Sequence, residues 1–176
     1  MKKDMELVDF AHEEYAAKEF WVKTNEKNCW IFQDKESRLL FADEAIISLG
    51  HKWYKHPALR DFKQGIDRVY KDTYEFSKML GYAHIKNSAK YRILHSSNER
   101  IAFFAHQGFG IAFLSTVLNI PYPIIANHFD MCHTGITAIV FQEIGNYAIP
   151  KVLTLSSDSR LYKEGLPTKY NNRLLF

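Results

Sequence analysis

The sequence predicts a single α/β domain, and three features of its patterning predict it. One long segment, "HPALRDFKQGIDRVYKDTYEFSKMLGY", carries apolar residues at steps of three and four. Two short apolar runs, "KYRILHSS" and "RIAFFAH", follow it with the polar break "SSNE" between them. Two β-rich runs joined around Gly145 and Asn146 come later, in "GITAIVFQEIGNYAIPKVLTLS". The order helix, strand, strand, helix, hairpin is that of a layered α/β architecture.

At 176 residues the chain is long enough for one good core and too short for two of ordinary size. A composition of 47% hydrophobic, 15% aromatic and 24% charged residues is that of a folded protein and excludes low-complexity and collagenous classes. No internal repeat or linker interrupts it.

Along the chain, Leu7, Phe10, Tyr15, Phe20 and Trp21 are loosely spaced among acids, so Met1 to Glu26 is expected to be irregular with at most short helical pieces. From Asp34, an expected N-cap, "DKESRLLFADEAIISLGHKWY" reads as one or two short helices terminated by Gly50. Leu59, Phe62, Ile66, Val69, Tyr70, Thr73, Phe76, Met79 and Leu80 recur at steps of three and four in a helix that ends at Gly81, a suitable C′ residue.

The second short run, "RIAFFA", lacks alternation and is expected to be a strand covered on both faces. A helix over 109–119 follows, stopped by "NIPYP". The polar, turn-rich tail "SDSRLYKEGLPTKYNNRLLF" ends in aromatic and apolar residues that are expected to dock on the body.

The net charge is only +3, from 23 Lys and Arg against 20 Asp and Glu, with the signs interspersed, which gives no footprint for nucleic acid. Cys29 and Cys132 are far apart and without C-x-x-C spacing, so no disulfide framework or thiolate metal site is expected. No apolar stretch has the length of a membrane span, and "MKKDMELVDF" has no signal-peptide pattern. A cytoplasmic location without membrane attachment is the expectation.

The chemistry concentrates at "IAFFAHQGFG". A strand that ends in a polar residue and passes through glycine into a helix builds ligand sites, because ligands lie beyond the carboxyl ends of strands in open α/β sheets. The helix start offers free N–H groups and a partial positive charge that favour phosphate. Gly108 and Gly110 permit close backbone approach, and His106 adds a donor of the residue type that can be cationic near neutral pH. A structural histidine capping the turn is the alternative reading of the same residues.

"FFAHQGFGIAFLSTVLNIPYP", "HFDMCHTGITAIVF" and "LTLSSDSRLY", in that order, closely resemble the C-terminal half of the histidine phosphatase, or phosphoglycerate mutase-like, family. The resemblance runs from about Glu6 to the C-terminus and is strongest from about residue 92 onward. It implies a three-layer sandwich with a mixed sheet, of which this chain holds a part with the first strand missing. It also implies phosphomonoester hydrolysis on a small phosphorylated metabolite, without cofactor or metal. His106 matches the second phosphate-gripping histidine, with Gln107 contributing its backbone N–H and Gly108 completing the contact. Glu13, or in second place Glu14, matches the proton donor to the leaving oxygen.

The sequence departs from the family in having no Arg-His-Gly, the motif that carries the nucleophilic histidine. His12, His51, His56, His84, His95, His128 and His133 lack the flanking Arg and Gly. This chain alone is therefore expected to be inactive, as an N-terminally truncated family member, or else as a catalytically silent phosphate-binding module. The strand 101–105, without the neighbour it has in the family, is expected to be an exposed edge that pairs with a second copy or a complementing N-terminal segment.

Four other patterns give weaker chemistry. His128, Asp130, Cys132 and His133 are zinc-ligand types at a spacing that fits no standard site. "EFWVK", "NCWIFQD" and "HKWYKH" are read as packing rather than base-stacking platforms. Gly108 and Gly110 fall short of a dinucleotide fingerprint. Asp158 and Arg160 could reach a site near the C-terminus, although Asp158 equally suits a turn.

Overall fold

The computed structural model describes residues 21–24, 27–30 and 35–170. The first described elements form an antiparallel hairpin, β1 (Trp21–Thr24) with β2 (Lys27–Trp30), in which Trp21 lies opposite Trp30. This corrects the irregular segment expected there. Trp21, Val22, Thr24 and Trp30 are β-favouring residues, and pairing outweighs their acidic neighbours. Glu13 and Glu14 lie outside the described residues, as does the expected N-cap Asp34.

Helices α1 (Lys35–Phe41) and α2 (Glu44–Ile47) follow. The cap in this region is Asp43, whose extended backbone lets Oδ1 accept the Ala45 N–H at 2.8 Å. Gly50, with φ +55°, does not simply end a helix but opens a 3₁₀ helix, Gly50–Lys55. A second 3₁₀ helix, Pro57–Phe62, then leads into α3 (Lys63–Met79).

The long helix predicted from the three-and-four spacing is thus two helices. Leu59 and Phe62, three apart and both buried, stack as 3₁₀ positions, and Pro57 sits in the first turn where its missing N–H costs nothing. Within α3 the buried face is Ile66, Val69, Thr73, Phe76 and Ser77. The chain turns out at Gly81, φ +97°, as the sequence predicts.

The main sheet has four strands in the order β3 (Tyr82–His84), β4 (Tyr91–Ile93), β6 (Tyr147–Ser157), β5 (Ile136–Ile144). Every described pair is antiparallel, whereas a mixed sheet was expected. The β5–β6 hairpin turns through Gly145 and Asn146 with Ile144 opposite Tyr147, as the glycine–asparagine pair predicts.

The greatest departure is at 101–105. These residues form no strand, and only Phe103 is partly buried; Phe104 is 77% exposed. A strand exists through its ladder, and here no described segment supplies one, so apolar composition alone leaves the run open. Phe103 anchors it by packing on Phe76, Phe109 and Phe113, with ring centroids 6.1, 5.4 and 5.3 Å away.

Helix α4 (Gln107–Leu118) is the centre of the molecule. Phe109, Ile111, Ala112, Leu114, Ser115, Thr116 and Val117 are buried, which takes in every side of the helix. A helix apolar all round must be wrapped. It meets α3 on one side and α5 (Tyr122–His128) on another, and it is tied to the sheet by the Tyr91 hydroxyl, which donates to Val117 O at 3.2 Å. Its end is capped by Asn119 in the left-handed conformation, φ +53°.

The main core joins Phe41, Trp53, Phe62, Ile66, Phe109, Leu114, Tyr122 and Ile125, with Ile139, Val152 and Leu155 of the hairpin packed against it. A smaller cluster of Tyr82, Tyr91 and Ala148 lies farther along the sheet, toward β3 and β4. After β6, α6 (Ser159–Lys163) begins the tail, which docks where Tyr170 bridges Cys132 and Lys169 O accepts the His133 N–H at 2.8 Å.

Among the described residues no helix is long and apolar enough to cross a membrane.

The sheet also carries a pH-sensitive contact. His84 stacks on Tyr74 at 3.9 Å, and its Nε2–H donates to Ser88 O at 2.9 Å. Burial holds its pKa below the ordinary 6.5, overcoming the opposing pull of Ser88, while burial pushes Tyr74 up to about 12. The unfolded chain therefore binds the proton first as pH falls. The contribution of His84 is full above pH 6.5 and is lost as pH drops through that value toward the lower folded-state pKa. His84→Phe, which keeps a ring on Tyr74, is expected to flatten the acid-side decline of the urea midpoint; an unchanged slope between parent and variant would contradict this.

Candidate functional site

His106 ends the open run and occupies the N-cap position of α4, with extended backbone (φ −79°, ψ 157°) and an exposed side chain. Its carbonyl accepts the Gly110 N–H at 2.9 Å, closing the first helical turn. Its imidazole makes no capping bond to the helix. The expected order of a polar residue, glycine and helix is therefore present, but the helix starts at Gln107 rather than 109, and a strand does not precede it. Gly108 sits buried inside the first turn.

The side chain of Gln107 donates to Asp130 Oδ1, and the Met131 N–H donates to the same oxygen at 2.7 Å. Asp130 thereby fixes the segment after α5 against the start of α4. The approach is close: a Cβ on Gly110 would stand 2.9 Å from Met131 Sδ. Sequence reasoning considered Asp130 only as a zinc ligand. Its position two residues past the end of α5 could have suggested an anchor for the neighbouring helix start.

The segment continues into a tight turn. The Cys132 N–H donates to Ser156 Oγ at 2.7 Å, and the Ser156 N–H donates to Thr137 Oγ1 at 3.0 Å. Thr134 and Ser156 both have positive φ, +59° and +48°, in a region that costs non-glycine residues energy. Gly135 lets the turn close, because a Cβ there would lie 2.7 Å from both Cys132 Sγ and Ser156 Oγ. The "HTGIT" stretch, the end of β6 and the start of α4 are thus linked through Cys132, Ser156, Asp130 and Gln107.

Asp158 accepts from the Thr168 hydroxyl at 2.6 Å, and Arg160 pairs with Glu164 at 3.2 Å on the exposed side of α6. Both are engaged within the tail, so the turn reading of Asp158 describes it well. Tyr170 has its pKa raised by burial first, and then by the charges of Cys132, Asp158 and Asp130. Among the described residues no three His, Cys, Asp or Glu side chains converge as a metal ligand set. The carboxylate of Asp130 is taken by Gln107 and Met131, and the thiol of Cys132 by Ser156.

Two open cavities lie away from His106 among the described residues. One, of about 410 Å³, lies between α1 and α5; the other, of about 680 Å³, runs along Arg60, Lys63 and Asp67. No family model, curated protein or solved structure matches the chain.

Proposed function

We propose that the chain supplies the phosphate-binding part of a phosphomonoester-hydrolysing site of the histidine phosphatase type, acting in the cytoplasm on a small phosphorylated metabolite. The observation that carries the reading is His106 at the N-cap of α4 with its side chain exposed. The first N–H groups of a helix have no intrahelical acceptors, and together with an imidazolium they suit the charge of a phosphoryl group. In this reading His106 and the backbone N–H groups of Gln107 and Gly108 bind the phosphoryl oxygens, Asp130 positions Gln107, and Glu13 protonates the leaving oxygen.

Hydrolysis through a phosphohistidine needs an in-line nucleophile, and the sequence has no Arg-His-Gly to provide it. The complete reaction is therefore assigned to the chain together with a segment bearing that motif. The reading carries with it the three-layer, mixed-sheet arrangement of the family, completed by a strand laid along 101–105 from such a segment or a second copy. The missing motif also favours a second reading, a phosphate-binding module with no turnover.

Calorimetric titration with inorganic phosphate tests the shared premise. His106→Ala is expected to weaken binding about tenfold or more, the loss of one charge-assisted hydrogen bond. Equal affinity of parent and variant would overturn both readings. With phosphate binding established, hydrolysis of p-nitrophenyl phosphate on adding an Arg-His-Gly-bearing segment separates the first reading from the second.

A further inference from the structure

The cavity between α1 and α5 has an unusual lining: Lys35, Arg38, Leu39, Ala42, Asn127 and His128. It contains two cations, an imidazole and an amide, and no carboxylate. Lys35 and Arg38 are three residues apart, so both project from one side of α1, where like charges repel. Neither has an acidic partner among the described residues, unlike Lys63, which pairs with Asp67, and Arg160, which pairs with Glu164.

The walls are fixed from beneath. Phe41, in the last turn of α1, is fully buried and meets fully buried Tyr122 at the start of α5 edge to face, with ring centroids 6.2 Å apart. Asn127 Nδ2 donates to Arg38 O at 3.4 Å, which joins the two helices beside the cavity itself. With the two helices held together, mainly the Lys35 and Arg38 side chains need ordering to receive a ligand. On its rim Leu39 is 63% exposed although its helix neighbour Phe41 is in the core.

We propose that this cavity binds an oxyanion carried on an apolar body, a small aryl or alkyl phosphate or carboxylate, with Arg38 and Lys35 on the anionic group and Leu39 and Ala42 against the hydrocarbon. Arginine's planar fork suits two oxygens of such a group at once, and lysine adds a point charge. His128 and the Asn127 amide supply further donors at the opposite wall. The site is separate from His106 and stands whether or not His106 binds phosphate.

The test is titration with phenyl phosphate, inorganic phosphate and benzyl alcohol, followed by calorimetry and by the amide resonances of 35–42 and 127–128. Phenyl phosphate is expected to bind more tightly than inorganic phosphate or benzyl alcohol, to shift those resonances, and to weaken as salt rises. Arg38→Gln should lower its affinity about tenfold, Arg38→Lys should lower it less, and His106→Ala should leave these shifts unchanged. Equal binding by parent and Arg38→Gln, with thermal midpoints showing both folded, would overturn the proposal. Loss of the shifts in His106→Ala would overturn the site's independence. Binding to phosphatidic acid vesicles without binding to phenyl phosphate would assign the cavity to a lipid surface instead.

Discussion

Trp53→Ala is expected to cost about 4 kcal/mol of folding stability, from lost apolar burial and the cavity left behind. Trp53 is fully buried, although it lies on a short 3₁₀ helix rather than on a long element. Its ring stacks on Tyr122 at 5.4 Å and meets Phe41 at 5.7 Å and Phe62 at 6.2 Å. Those three neighbours come from α5, α1 and the second 3₁₀ helix, so one side chain joins separate parts of the helical layer. They are themselves large and held by further contacts, which limits collapse into the space. Domain stabilities are typically about 5–15 kcal/mol, so such a loss is a large share of the whole. Urea denaturation checks it, with Met79→Ala as the control: Met79 is 70% exposed, and its change should stay within about 0.5 kcal/mol. A Trp53→Ala cost no greater than that of the control would contradict the assigned core.

Gly81→Ala is expected to cost roughly 3 kcal/mol, combining backbone strain with a steric clash. At φ +97° the position disfavours any side chain, and the added Cβ would lie 2.4 Å from His95 O and 2.8 Å from His95 Nδ1. The carbonyl belongs to the backbone and cannot swing away as a side-chain tip would. Gly81 also accepts the Leu94 N–H at 2.8 Å, so relieving the clash disturbs the link between the end of α3 and the β3–β4 pair. Gly50→Ala separates the two contributions. Its φ is +55°, yet nothing stands within 4 Å of a new Cβ, so it should cost only about 1 kcal/mol of strain. Denaturation midpoints for the two variants measure the difference; equal costs would remove the clash from the explanation.

The elements legible in the sequence are those whose information is local. The face of α3 follows from its three-and-four spacing, Gly81 marks its end, and the glycine–asparagine pair marks the β5–β6 turn. The run 101–105 shows the opposite case. Its residues favour a strand, but a strand also needs a neighbour, and that neighbour is not encoded in "RIAFFA". The antiparallel order of the sheet is hidden for the same reason, since β4 pairs with β6 across α4 and α5.

At the candidate site, His106 and the glycines were visible because a histidine before a glycine-rich helix start is a local pattern. Asp130 was not visible in its actual role. It lies 23 residues from Gln107, and only the packing of the segment after α5 against α4 brings them together. Ser156 and Thr137 were likewise silent, being polar residues of ordinary strands until the bulge and the positive φ at Ser156 bring Thr137 to Ser156 and Ser156 to Cys132.

The central claim is that the start of α4, with His106, receives phosphate. Its most direct measurement is the backbone amide spectrum of the 176-residue chain during titration with inorganic phosphate. Saturable shifts of the Gln107, Gly108 and Phe109 amides are expected, and His106→Ala should suppress them. Unmoved amides at Gln107–Phe109, or shifts that persist undiminished in His106→Ala, would contradict it.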